Sequence, residues 1–280
     1  MVLRLEEYHC PTDLPTALEL LQRPGIVTRP LAGGTELVAT ADESIQAVVD
    51  LRRLGLDRVL VDGGWLRVGA MHSLEELAAN HHGIELLATA ARLTAARTVR
   101  HAATVGGVLA GRQAAGDLTV ALLALGARIT VHKESPRMID LAEFLPHREE
   151  VLAGGLITEI AVALLPTGSR TSWQRVARTP RDRSIVSCAV AAGSDQVRIA
   201  LGGVGPLPVR LAEVERLVRE GAGAGGAVTE AVAARAEAAA RAAVTPPGDL
   251  RGSSEYRRHV AGVLVRRALL EVFSQGGGVR

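Results

Sequence analysis

The chain has 280 residues, 48% hydrophobic and 22% charged, enough for the core of one large domain or two modest ones. With 32 basic against 30 acidic side chains, a formal net charge of +2 gives no electrostatic reason to bind nucleic acid or an anionic membrane. The two cysteines, Cys10 and Cys188, exclude a disulfide framework and the four-thiolate set of an ordinary iron–sulfur cluster, and no apolar run approaches the roughly 20 residues of a membrane span.

Glu6 and Glu7 stand where a signal peptide would be apolar, so a cytoplasmic protein is expected. The spacing predicts a first helix over 12–22, capped by Thr12 or Asp13, with Leu14, Leu18 and Leu21 on one face. Residues 26–31 read as a strand running into Ala32-Gly33-Gly34-Thr35-Glu36-Leu37, and 47–51 as a second strand, together a small α/β unit. Paired glycines let the backbone turn and bring bare amides close to an anion, and Thr35 adds a hydroxyl. Beyond residue 57, segments 58–61 and 66–69 read as a hairpin joined by Asp62-Gly63-Gly64. Ser73-Leu74-Glu75-Glu76 matches a capping box, and 84–96 is an apolar helix. Thr104-Val105-Gly106-Gly107 then repeats the chemistry of the first loop. Two such loops are expected to close on one diphosphate from two sides.

Asp117 directly precedes the apolar run 118–125, with Gly126 as the C′ residue. It reads either as a helix N-cap or as a carboxylate aimed at a ligand hydroxyl, and spacing alone favours the cap. Strands follow over 127–132 and 156–160, and Pro166-Thr167-Gly168-Ser169 marks a boundary. Further on, 185–192 and 197–201 read as antiparallel strands, 210–220 as a helix and 228–243 as an Ala-rich helix. After the break at Thr245-Pro246-Pro247-Gly248, a last helix starts near Glu255 with Tyr256, Val260, Val263, Leu264 and Leu270 on one face. The run 221–226 formally matches GxGxxG, but it follows a helical pattern rather than a strand and reads as a flexible linker. No paired carboxylates and no metal-ligating cluster stand out, so catalytic residues are unassigned and a bound cofactor is expected to do the chemistry.

Four stretches carry a resemblance. LAGGTEL (31–37) is close to AGG(T/S)xL, and TVGGVLAGRQAAGD (104–117) aligns without gaps to TIGGNIAxAxPAAD. IALGGVGPLPVRLAEVE (199–215) and DLRGSSEYRRHVAGVLVRRAL (249–269) are similar to a C-terminal domain that follows these loops. On these residues the chain resembles the FAD-binding medium subunit of the molybdenum hydroxylases, the carbon monoxide dehydrogenase and xanthine dehydrogenase group. The resemblance implies an α+β fold: a two-subdomain FAD-binding (PCMH-type) domain over 1–165, with subdomains of about 1–55 and 56–165, then a smaller α+β C-terminal domain over 166–280. It implies FAD, with Ala32, Gly33, Gly34, Thr35, Glu36, Leu37, Thr104, Val105, Gly106, Gly107 and Val108 around the diphosphate and adjoining sugars. By the same resemblance Asp117 holds a cofactor hydroxyl and Ile157 gives a backbone contact near the flavin. Gln174 falls where some relatives carry a lysine. The implied partners are a molybdenum-cofactor large subunit and a 2Fe–2S small subunit, and the implied role is to pass electrons from iron–sulfur clusters to an external acceptor.

The chain departs from the pattern at Val108, where asparagine is usual, at Arg112-Gln113-Ala114-Ala115-Gly116 in place of AxPAA, and at His101. Loss of the asparagine amide removes up to one hydrogen bond, about 0.5–1.5 kcal/mol; Arg112 either offsets this by facing the diphosphate or points to solvent. Two alternatives therefore stay open: a stand-alone FAD oxidoreductase on the same scaffold, and a subunit that has lost its flavin.

Overall fold

The computed structural model describes residues 5–80, 82–111, 115–180, 182–193, 196–222 and 228–274. Arg112, Gln113 and Ala114, and most of the GxGxxG run, lie outside the described residues. The chain begins with β1 (Glu7–His9), α1 (Leu14–Leu21), β2 (Thr28–Leu31), α2 (Leu37–Thr40) and β3 (Ala47–Asp50), then β4 (Val59–Asp62) and β5 (Trp65–Gly69). Helices α3 (Leu74–Ala79), α4 (Glu85–Thr94), α5 (Arg97–Arg100), α6 (Val105–Ala110) and α7 (Asp117–Ala124) follow. Next come β6 (Arg128–His132), β7 (Pro136–Asp140), α8 (Leu141–Val151) and β8 (Leu156–Ala163). The remainder holds β9 (Arg170–Val176), β10 (Val186–Ala192), β11 (Val197–Gly202), β12 (Val209–Arg210), α9 (Ala212–Gly221), α10 (Glu230–Ala242) and α11 (Ser254–Ser274). This is the expected α+β class.

Local chemistry explains the element boundaries. Asp13, not Thr12, caps α1: its carboxylate accepts from the Thr16 N–H at 2.9 Å, and Pro15 falls in the first turn, where no amide donor is needed. Ser73 and Glu76 form the full capping box of α3. The β4–β5 hairpin turns on Gly63 and Gly64, both with positive φ, as a two-residue turn with right-handed strand twist requires.

Chain contacts divide the molecule into two compact units. The first is built from described residues within 1–80, 95–114 and 127–163. It holds a three-stranded parallel sheet ordered β1-β3-β2 and a five-stranded antiparallel sheet ordered β4-β5-β8-β6-β7. Buried Ala17, Val49 and Leu51 of the parallel layer meet Leu156 of β8, with Met71 packed against them, so one apolar cluster joins the two sheets.

The second unit gathers 164–280 with two segments from earlier in the chain, 81–94 and 115–126. Its antiparallel sheet, β12-β11-β10-β9, is covered on both faces, and every residue of β10 is buried. Val186, Cys188 and Val190 join the cluster built on α9, α10 and α11. Opposite residues face α7, which packs on α4 and against β10 and β11. There a Cβ on Gly202 would stand 2.7 Å from Val120.

Helix α11 corrects one expectation. Tyr256 is 42% exposed, and the buried stripe runs one residue later, through Arg257, Val260, Ala261, Leu264 and Ala268. The buried Arg257 guanidinium donates to the carbonyls of Ile185 (2.8 Å) and Gly203 (3.1 Å) and to the Asp249 carboxylate (2.6 Å). A buried charge is tolerated there because each of these groups is a matched acceptor. Among the described residues, no helix is long and apolar enough to cross a membrane.

Candidate functional site

Strand β2 delivers the first glycine stretch to the carboxyl end of the parallel sheet, where open α/β sheets commonly bind ligands. Residues 32–37 are all half-buried, and Gly34 turns the chain in the left-handed region at φ 68°. Among the described residues, the N–H groups of Gly33, Gly34 and Thr35 and the Thr35 hydroxyl have no partner. Gly33 is needed for space. A Cβ there would stand 2.5 Å from the Ala102 carbonyl carbon, closer still to its oxygen, and 3.2 Å from the Ala103 Cα. The first stretch thus lies flush against the peptide that leads into Thr104.

The second stretch is not the mirror of the first. Thr104 is the N-cap of α6, and its hydroxyl accepts from the Gly107 N–H at 3.1 Å. The N–H groups of Val105, Gly106 and Val108 donate to the carbonyls of His72, Ala70 and Thr104. The expected bare amides are therefore already used inside the protein. Gly106 serves packing instead: a Cβ there would stand 2.7 Å from the Ala70 Cβ.

A cavity of about 600 Å³ opens between these stretches, within the ~300–1,000 Å³ usual for small-molecule sites. Ala32, Gly33, Gly34, Thr35, Glu36 and Leu37 line it, as do Thr104, Gly106, Gly107 and Val108, while Val105 is buried away from the cavity wall. Ile157 lines it from β8. There the pairing with β6 shifts from Thr130↔Glu159 to Val131↔Ile157, which leaves Thr158 as an extra residue, a bulge of the kind that bends a strand beside a site. The Glu36 carboxylate covers Gly111, where a Cβ would stand 2.8 Å from its Cδ.

Arg148 is among the wall residues that sequence reading missed. Arg148 sits in the last turn of α8 inside the charged run His147-Arg148-Glu149-Glu150, which reads as a solvated face. Its side chain is only 20% exposed, and its buried Nε has no hydrogen-bond partner.

Asp117 and Gln174 belong to the second unit. Asp117 is not the cap of α7. Gly116 takes that position and Asp117 is the first helical residue. It is 5% exposed, and its Oδ2 accepts from the Ser184 hydroxyl at 2.8 Å. Burial pushes its pKa above the ordinary carboxylate range, partly offset by the Ser184 and Ser187 hydroxyls and by Arg175 and Arg183. Gln174 donates from Nε2 to the Glu271 carboxylate of α11 at 2.6 Å.

Comparison with known proteins places these features in a family. Residues 3–164 match the FAD binding domain in molybdopterin dehydrogenase, and residues 171–272 match the CO dehydrogenase flavoprotein C-terminal domain. The chain is 33% identical to protein YgfM of Escherichia coli strain K12 over 267 residues, covering 93% of this chain and 94% of that one. It is 30% identical to the glyceraldehyde dehydrogenase medium chain of Sulfolobus acidocaldarius over 260 residues, 88% of this chain and 90% of that one. A solved structure of carbon monoxide dehydrogenase from Hydrogenophaga pseudoflava, lacking the Mo-pyranopterin moiety of its cofactor, contains a chain that superposes with a TM-score of 0.85 at 27% identity, over 98% of this chain and 99% of that one.

Proposed function

This chain belongs to the family of FAD-binding subunits of molybdopterin dehydrogenases, as the medium subunit of a molybdenum hydroxylase-type enzyme, and from that premise we propose its place in the electron path. A large molybdenum-cofactor subunit oxidises the substrate, a small 2Fe–2S subunit relays electrons, and this chain passes them to an external acceptor. Its two cysteines are too few to hold the clusters, which assigns those to a partner chain. A cytoplasmic location, and domains over 1–165 and 166–280, are part of the same proposal.

FAD, when bound, supplies the redox chemistry. The residues present suit it. A diphosphate needs N–H donors and a close backbone approach, and Gly33, Gly34 and Thr35 offer both. In this reading their amides and the Thr35 hydroxyl hold the phosphates, with Thr104 beside them. Ala32, Leu37, Gly106, Gly107 and Val108 close the walls and exclude water, with Val105 packed behind. The Glu36 carboxylate would repel a phosphate, so it serves a sugar hydroxyl. Ile157 offers its backbone at the bulge.

The observation that carries this reading is the set of unpartnered amides at Gly33, Gly34 and Thr35 on the wall of a cavity of about 600 Å³. The test is to express the chain with the products of its neighbouring genes. A flavin-containing complex with a molybdenum subunit and a Cys-rich subunit is expected, its flavin reduced when the clusters are reduced. A chain that elutes alone and oxidises a small substrate by itself overturns the electron-relay role, and a colourless chain that ignores added FAD overturns the cofactor assignment.

A further inference from the structure

Resting on the reading that this cavity takes FAD, we propose that Arg148 is the cation that neutralises the cofactor's diphosphate. Four charged side chains line the cavity: Arg29, Glu36, Arg148 and Glu149. Arg29 is exposed, and the Glu149 side chain is 90% exposed. Arg148 is therefore the sequestered cation of this wall.

Its partners are insufficient for its burial. Among the described residues its ion pair is with Glu149 at 3.5 Å, a solvated carboxylate beyond good hydrogen-bond range. Its Nε is sealed from solvent without an acceptor. That donor faces neither solvent nor the cavity, so an acceptor in the cavity would be met by the terminal N–H groups of the guanidinium. The cavity's other wall contributes the amide donors of Gly33, Gly34 and Thr35, while the neighbouring Glu36 carboxylate lies over Gly111. Donors on two walls of one cavity offer a place for an anion. Arginine's planar fork of five N–H groups matches phosphate oxygens, and its fixed charge supplies what neutral amides lack.

The fold holds this residue in place. The turn after α8 is tied to α1 by the Gln22 side-chain amide, which donates to the Gly154 carbonyl at 2.9 Å, and Leu156 just beyond is in the core. Arg148 is thus presented from a fixed helix end.

The experiment compares Arg148→Gln and Arg148→Lys with the wild-type full chain. Binding of FAD, ADP and riboflavin is titrated at low and high salt, and melting without ligand controls for folding. R148Q is expected to melt normally, to lose about 10- to 100-fold in affinity for FAD and ADP, and to show a flatter salt dependence. R148K should recover part of the loss, and riboflavin binding should not change. An unchanged ADP affinity in R148Q, or a loss confined to riboflavin, overturns the assignment and places the guanidinium elsewhere on the cofactor. A wild-type chain that binds neither FAD nor ADP overturns the cofactor reading and this proposal with it. Wild-type binding with an unaffected variant overturns this proposal alone.

Discussion

Replacing Gly33 with alanine puts a methyl group where the Ala102 carbonyl already stands. The new Cβ would lie 2.5 Å from the Ala102 carbonyl carbon and 3.2 Å from the Ala103 Cα. Ordinary contact needs roughly 3.5–4 Å, so one backbone must retreat by about 1–2 Å. The 102–103 segment is not free to do so. The Ala103 N–H donates to the Val99 carbonyl at 2.8 Å, and the Ala103 carbonyl accepts from the Leu74 N–H at 2.9 Å. The first glycine stretch therefore moves, at about 1–3 kcal/mol of overpacking. Its amides move with it. Losing two hydrogen bonds to a charged group, at about 1.5–3 kcal/mol each, lowers FAD affinity by at least about 100-fold. The assay is a flavin-fluorescence titration of the purified apo chain, with a thermal melt of each variant. Gly34→Ala is the contrast: at φ 68° it meets only the Leu31 and Val38 side chains, nearest at 3.3 Å. It carries about 1–2 kcal/mol of left-handed strain without pushing on a backbone, so its affinity loss is smaller. A Gly33→Ala protein that melts like wild type and binds FAD within about threefold of it would show that neither the close packing nor the amides at this turn matter to the cofactor.

Two further predictions concern the second unit. Burial holds the Asp117 pKa above its ordinary range, so between about pH 3.9 and that raised value the native chain binds more protons than the unfolded one. Native stability therefore falls as pH rises through this window, and Asp117→Asn is more stable than wild type at neutral pH, with the gain fading below about pH 4. Urea melts at both pH values check this, and a wild type at least as stable as the variant at pH 7 contradicts it. Arg257→Met strips donors from the Ile185 and Gly203 carbonyls and is expected to destabilise by about 2–4 kcal/mol in a urea melt. A loss below about 0.5 kcal/mol would show that water replaces the guanidinium.

The sequence made local signals legible wherever the responsible chemistry is local. The capping box at Ser73, the Gly63-Gly64 turn and the Gly126 C′ residue each depend on a few neighbouring residues. The misreadings depend on partners far along the chain. Thr104-Val105-Gly106-Gly107 resembles the first loop in composition, yet the demand for glycine at 106 comes from Ala70, and its amides are claimed by His72, Ala70 and Thr104. Tyr256 was the natural choice for an apolar face over Arg257, whose acceptors lie at Ile185, Gly203 and Asp249. Strand β1 has three residues and takes its ladder from β3, about 40 positions away, so no periodicity announces it. The assignment of 81–94 and 115–126 to the second unit is likewise a tertiary outcome, because α4 and α7 carry apolar patterns that suit either unit. At the site, the first glycine stretch was readable, whereas Arg148 was hidden in a run of charges.

The two glycine stretches divide the labour: the amides of Gly33, Gly34 and Thr35 take the anion, and the second stretch supports them. Residue-resolved amide hydrogen exchange, with and without saturating FAD, tests it most directly. FAD should slow exchange at Gly33, Gly34 and Thr35, while 105–108 stay protected in both states with little change. New protection at 105–108 with none at 33–35 would contradict it.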